Sequence, residues 1–210
     1  MRPAHARNDA FSTYLGAAVT TSHVRTEFDY PGGAGYSASI SRYSVTILQA
    51  VAPDVDFGLG GDYFIASLDS PALAASNESD GRAYGISLRW HPRLWDYLGL
   101  DARAGYRWND MDFSTANTAR PQVNWRETRL EAGPVLYLGN WRVSLAARWW
   151  QVSGRETDPG PPAARFDFGA AKRLGFGLGV AYYLDRTGSV GLYATTGAER
   201  GAQLVFMRGF

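Results

Sequence analysis

The chain has 210 residues, 45% of them hydrophobic, with 21 Lys+Arg against 20 Asp+Glu and no cysteine. That composition excludes a disordered or collagen-like chain, a disulfide framework, a cysteine metal centre and thiol catalysis. A net charge of +1 offers no broad positive field to nucleic acid, and no apolar run reaches the roughly 18 residues that a transmembrane helix needs.

What remains is a chain with 24 glycines, 12 tyrosines, 10 phenylalanines and 7 tryptophans. Both groups suit β-structure with tight turns. Alternation of period two then predicts strands along nearly the whole length. Residues 11–28 carry Phe11, Leu15, Ala17 and Val19 in step, and residues 35–51 carry Tyr43, Val45 and Ile47 against Arg42, Ser44 and Thr46. Val55, Phe57, Leu59, Tyr63 and Ile65 oppose Asp56, Gly58, Gly60 and Asp62, and Tyr84, Ile86, Leu88 and Trp90 oppose Gly85, Ser87 and Arg89. The clearest strand sets Leu98, Leu100, Ala102, Ala104, Tyr106 and Trp108 against Asp101, Arg103 and Arg107. Leu130, Ala132, Leu136 and Leu138 then oppose Glu131 and Gly133, and Val143, Leu145, Ala147 and Trp149 oppose Arg142 and Arg148. Leu174 to Leu184 alternates with Gly175, Gly177 and Gly179, and two shorter strands follow at 189–196 and 201–210. The reading is all-β with ten strands, or eight if the last segments merge. Short connections (52–54, 91–94, 138–140, 185–188) alternate with longer ones (29–35, 69–81, 113–122, 156–164), the pattern of an up-and-down meander.

Alternation alone does not say which face is inside. Four features put the apolar face outward. Glycine crowds the polar face, where a narrow lumen has use for it. Trp90, Trp95 and Trp141 near the short turns and Trp108, Trp125 and Trp149 near the long loops form two aromatic levels. Apolar runs have the roughly 9–11 residues of a tilted membrane strand. Turns are short on one side only. The chain resembles the bacterial outer-membrane β-barrel class. Its end, with Phe206 and Phe210 in step, resembles the terminal strand read by the barrel-assembly machinery, with Arg208 where that strand usually has an aromatic or apolar residue. The resemblance implies a transmembrane barrel in the outer membrane, in contact with lipid and lipopolysaccharide. Residues 1–10 read as a leader remnant or tail, with Ala4-His5-Ala6 similar to the end of a cleavage site, and 11–210 as a single barrel domain, expected to be monomeric.

Strands that meet around residue 117 place Arg107 opposite Glu127 and Arg103 opposite Glu131, and a turn at Gly139-Asn140 places Glu131 opposite Arg148. Asp101 and Arg129 lie beside this row, and Asp62 lies near Arg42 on the other wall. Such a network either fills a narrow barrel or lines a small pore. The function read from this is a small channel or passive translocator with a charged, largely filled lumen; the alternatives are a plugged structural barrel whose loops bind something outside, and a hydrolase at the outer rim. For the last, ten strands with His23, Asp110 and Asp112 at the rim resemble the omptin proteases, and Ser22, His23 and Glu27 supply the residue types of a lipid A deacylase. No catalytic set is assigned, and the non-enzyme reading is preferred. No phosphate loop, HExxH or EF-hand pattern calls for a cofactor or metal. Asp110-Met111-Asp112 offers two carboxylates of the kind a hard cation takes, though exposed loop acids are the simpler reading. Lys172, the only lysine, and Arg25 are placed to meet lipopolysaccharide phosphates.

Overall fold

The computed structural model describes residues 15–30, 35–68, 78–112, 122–158 and 164–210. The leader-like residues 1–10 and the first residues of the expected opening strand lie outside these. The strands are β1 (Leu15–Asp29), β2 (Gly35–Ala52), β3 (Val55–Leu68), β4 (Glu78–Trp90), β5 (Leu98–Asp112), β6 (Gln122–Leu138) and β7 (Trp141–Asp158). They continue as β8 (Ala164–Ala170), β9 (Leu174–Tyr183), β10 (Gly188–Gly197) and β11 (Glu199–Gly209). No helix long and apolar enough to cross a membrane occurs among the described residues. All pairings are antiparallel, and β11 returns to β1 from Gly16↔Gly209 to Thr26↔Glu199. The ring is therefore closed, and its N–H and C=O groups have partners within the wall, as hydrocarbon requires.

Ten strands form that ring: β1 to β7, then β9, β10 and β11. β8 continues the line of β9 along β7, after a break at Ala171–Arg173. The β10–β11 hairpin is short, so above its turn nothing separates β8 from β1, and the two pair directly at Phe28↔Ala170 and Asp29↔Gly169. The wall thus has ten strands below and eight above, where β8 stands in for β9, β10 and β11. The hairpin turn depends on Gly197, which has φ 93° and whose added Cβ would lie 2.5 Å from Gly175 Cα. Only glycine fits both conditions.

The tight turns at Pro53-Asp54, Gly139-Asn140 and 184–187 share one end with Leu15 and Gly209. Short turns mark the periplasmic end of an outer-membrane barrel. From that end each strand first shows an apolar outer face. In β7 the outward series Trp141, Val143, Leu145, Ala147 and Trp149 gives way to exposed Gln151, Ser153 and Arg155. The inward series changes in the opposite sense: Arg142, Ser144 and Arg148 are followed by Trp150 and Val152, which are 3% and 5% exposed. β6 inverts likewise, from Glu131, Arg129 and Glu127 inside to Trp125 and Val123. The outer end of the lumen is consequently a packed apolar core built from Phe28, Ile40, Phe64, Met111, Trp150 and Phe168 with their neighbours. Phe28 and Phe168 lie 5.1 Å apart between centroids, and Phe64 and Trp125 5.3 Å.

Three of the large inward rings, Phe64, Phe168 and Tyr193, fit because a glycine stands opposite each. Gly81 pairs with Phe64, Gly154 with Phe168 and Gly179 with Tyr193. A Cβ at Gly81, Gly154 or Gly179 would lie within 2.3 Å of the facing ring. Gly154→Ala should therefore displace Phe168 and cost about 1–3 kcal/mol. The check is a lower urea midpoint in lipid vesicles, followed by heat-modifiable gel mobility. Gly61→Ala, whose Cβ would have no neighbour nearer than 4.0 Å, should leave the midpoint unchanged.

Arg208, the departure in the terminal strand, is explained by the β9–β10 turn. Its Nη1 donates to Asp185 Oδ2 at 2.6 Å, while the Asp185 carboxylate also accepts from the Thr187 and Gly188 amides at 2.8 and 2.7 Å. The Thr187 amide first, then Arg208 and the Gly188 amide, hold the Asp185 pKa down at about 2. A depressed folded pKa contributes stability above the ordinary carboxylate range, and that contribution is lost as pH falls through about 2. NMR titration of the Asp185 carboxyl carbon should show its midpoint there; Arg208→Ala should move it upward.

Candidate functional site

The inward face between the apolar core and the periplasmic turns carries the charges. Alternation brings them there, and burial obliges them to pair. In the tier next to the core, Arg42 on β2 donates through Nη2 to Glu127 Oε1 at 2.7 Å and through Nη1 to Asn109 Oδ1 at 2.8 Å. Asp62 Oδ2 lies 3.4 Å from Arg42 Nη1 and 2.9 Å from Arg107 Nε. Glu127 also takes Arg129 Nη2 at 3.2 Å and the Trp125 indole N–H at 2.8 Å. Arg129 Nη2 continues to Glu199 Oε1 at 2.7 Å, and Arg148 joins Glu199 Oε2 at 3.1 Å to Glu131 Oε1 at 2.8 Å. The Arg42 guanidinium lies over the Phe64 ring, 5.0 Å from its centroid, which couples this tier to the core above it.

A second, lower group centres on Asp101. Arg89 donates to it through Nη2 at 2.7 Å and Nε at 3.1 Å, and Arg142 Nη2 bonds the same carboxylate. Arg103 makes two longer contacts to Asp101, at 3.3 and 3.4 Å. Arg142 Nη1 reaches Tyr193 Oη at 3.2 Å. Nearest the turns, His91 Nε2 lies 2.9 Å from Asp56 Oδ2, and the Arg93 guanidinium lies 4.4 Å from the Tyr137 centroid. A lumen cavity of about 330 Å³ touches both groups and reaches Ala18, Ser189 and Met207 towards the turn end.

The autotransporter beta-domain family model matches residues 15–200. The chain belongs to the autotransporter beta-domain family. It is a bacterial outer-membrane barrel, in keeping with the solved barrels it resembles. The outer membrane protease OmpT of Escherichia coli has a TM-score of 0.52 at 9% identity, covering 97% of this chain and 98% of that one. The translocator domain of the autotransporter NalP from Neisseria meningitidis has 0.43 at 14% identity, covering 96% and 90%. Outer membrane protein OprG of Pseudomonas aeruginosa has 0.47 at 10%, covering 94% and 95%. At these identities the likeness is one of fold. No curated protein sequence matches the chain.

In this autotransporter beta-domain the sequence-derived neighbours Arg107↔Glu127, Arg103↔Glu131 and Glu131↔Arg148 are cross-strand partners. Arg103 nevertheless turns from Glu131 to Asp101, where Arg89 and Arg142 already converge. Trp90, Trp95, Trp108 and Trp141 are exposed and Trp149 half-buried on the outer face. Trp125 is the correction: it is 4% exposed inside the barrel, because it shares the inward phase of Glu127 and caps that carboxylate. Phe206 and Phe210 face outward on or just beyond β11.

The rim candidates do not converge. Ser22 lines the lumen while His23 points outward to Ser41 Oγ at 2.9 Å, so the pair is split across the wall. Asp110 is exposed on the outer face of β5, which stands across the barrel from β1, and the Asp112 side chain lies outside the described residues. Lys172 pairs with Glu27 at 2.9 Å on the outer surface. Among the described residues no three His, Asp or Glu are grouped to hold a metal. Sequence reasoning missed Arg89, Arg142, Tyr193 and Glu199. The first three stand in the inward phase of their strands; Glu199 opens β11 beside a turn.

Glu127 holds Arg42, Arg107 and Arg129 together. Glu127→Ala should strand those charges and destabilise the barrel by about 3–5 kcal/mol, read as a fall in urea midpoint. Arg155→Ala, which breaks the exposed pair with Asp167, should change it by less than about 1 kcal/mol.

Proposed function

We propose that this barrel is closed to ions at rest and serves to hold its outer loops on a rigid stalk above the membrane. The observation that supports this is the filled outer mouth. Phe64 and Val123 are 0% exposed and Phe28 and Met111 1%, in the part of the lumen a channel keeps open. Around this core the wall is polar outside, with Asp110, Arg126, Ser153 and Arg155 exposed. It is built like a small soluble barrel set on a membrane barrel. Strands of 15 to 18 residues in β1, β2, β5, β6 and β7 exceed the 9–11 or so needed to cross. The excess lifts the ends that lead into residues 31–34, 69–77, 113–121 and 159–163. At its foot, Arg25 stands opposite Arg200 in register, with Arg173 exposed nearby and Lys172 paired to Glu27, a set with an excess of positive charge suited to lipopolysaccharide phosphates. The barrel works as a monomer, inserted by the assembly machinery through Phe206 and Phe210.

The narrow-channel reading draws its support from the charged cavity below the core. The two readings separate in planar bilayers. The purified protein should give no steady conductance steps; sustained steps reject the closed barrel and favour the channel. Impermeant maleimide on intact cells tests the stalk, and the absence of native cysteine keeps the background low. Asp110→Cys should label and Ala104→Cys, in the apolar band, should not.

A further inference from the structure

We propose that the lumen contains a binding site for a small phosphate-class oxyanion, held by Arg89, Arg103 and Arg142 and entered from the periplasmic side. The tier beside the apolar core is balanced, since Asp62, Glu127, Glu131 and Glu199 each lie within ion-pair distance of Arg42, Arg107, Arg129 or Arg148. The lower group is not. Three guanidinium groups share the single carboxylate of Asp101. Asp56, the register partner of Arg89, is the second carboxylate at this level, with its Oδ2 2.9 Å from His91 Nε2. Three arginines thus face two carboxylates, Asp101 and Asp56, so the group keeps a positive excess within the narrow lumen that a bound anion would offset.

The geometry shows where the anion sits. Arg103 holds Asp101 only through contacts of 3.3 and 3.4 Å, and its side chain, 38% exposed, is the most accessible of the lumen arginines that form ion pairs. A guanidinium presents five N–H donors in a plane and suits the paired oxygens of a phosphate. Arg89, Asp101, Arg103 and Arg142 all line the 330 Å³ cavity, with the Ser87 and Ser144 side chains also on its wall. That volume is within the range of small-molecule sites, about 300–1,000 Å³. The apolar core closes the route from outside, so a ligand arrives past Ala18 and Met207.

The test is calorimetric titration of the folded full chain in detergent micelles with inorganic phosphate in a phosphate-free buffer. Saturable one-to-one heat is expected, with sulfate competing and chloride at equal concentration not competing. Arg103→Met should weaken binding by about tenfold or more, while Arg155→Met on the outer tip leaves it unchanged. Asp101→Asn removes the competing carboxylate and should tighten phosphate binding, a direction that a purely structural ion pair does not produce. Heat-modifiable mobility confirms that each variant is folded. Absence of saturable heat in the wild type overturns the proposal. So does equal loss in Arg103→Met and Arg155→Met, competition by chloride, or weaker binding in folded Asp101→Asn. If Asp101→Asn does not fold, the Arg103→Met and Arg155→Met pair decides alone. The outcome is independent of conductance, since a closed mouth and an occupied lower lumen are compatible.

Discussion

Every long strand of this barrel passes from hydrocarbon into water, and its side chains must change sides where it does. A closed sheet satisfies its own backbone in either medium, so the wall runs on unbroken through the boundary. The side chains have no such freedom. In the band, Leu145 and Trp149 face lipid and Arg142 and Arg148 face inward; beyond it, Arg155 faces water and Trp150 and Val152 face inward. One ring thereby encloses two interiors. The lower is polar and held by ion pairs. The upper is lined mainly by apolar side chains and held largely by packing, with buried Glu156 accepting the Tyr30 hydroxyl. The packed outer end of the lumen follows from extending the strands: a wall that is polar outside needs an apolar core, and the lumen is where it can be built.

That reversal also explains why the ion pairs are so interlocked. Carboxylates buried beneath an apolar core have little water to fall back on, and Asp62, Glu127 and Glu199 are each shared between arginines. Glu127 takes Arg42, Arg107 and Arg129 as well as the Trp125 indole N–H. Arginine suits this work better than lysine because its planar fork bridges two acids at once. Arg129 does this between Glu127 and Glu199, and Arg148 between Glu199 and Glu131.

The wall and its register were legible in the sequence because short turns fix pairing and alternation fixes facing. Pairing centred near residue 117 and the tight turn at Gly139-Asn140 suffice to set Arg103, Glu131 and Arg148 in a row. What each side chain then chooses is a three-dimensional matter, and Arg103 chooses Asp101 along its own strand. Trp125 was misplaced by its nearness to a strand end, although its parity with Glu127 already pointed inward. The change of sides is itself written in β6, where Gln122, Asn124 and Arg126 precede Leu130 on the outer phase. A uniform apolar-out rule reads straight past it. β8 was missed for a different reason: residues 164–173 contain a break at Ala171–Arg173, and a short segment that pairs with β1 only at its end leaves little periodic signal. His23 and Ser22 show the opposite error, since adjacent residues of a strand cannot share a face.

The shortened β10–β11 hairpin ties these features together. Its turn lies at the height where the lumen changes character: Ala198 belongs to the apolar core, and Glu199, the next residue, completes the ion-pair tier with Arg129 and Arg148. Thr26 Oγ1 donates to the Ala198 carbonyl at 3.0 Å, and the Ala198 amide donates to Leu174 O at 2.9 Å, so the turn is fastened to the wall on both sides. Above it the wall closes with eight strands. A ring of eight is about the size that side chains can fill, whereas ten strands leave the wider lower lumen that holds the cavity. Ending one hairpin early therefore sets three things at once: the width of the tip, the position of the acid that balances the upper tier, and the boundary between a packed core and a lumen with room in it.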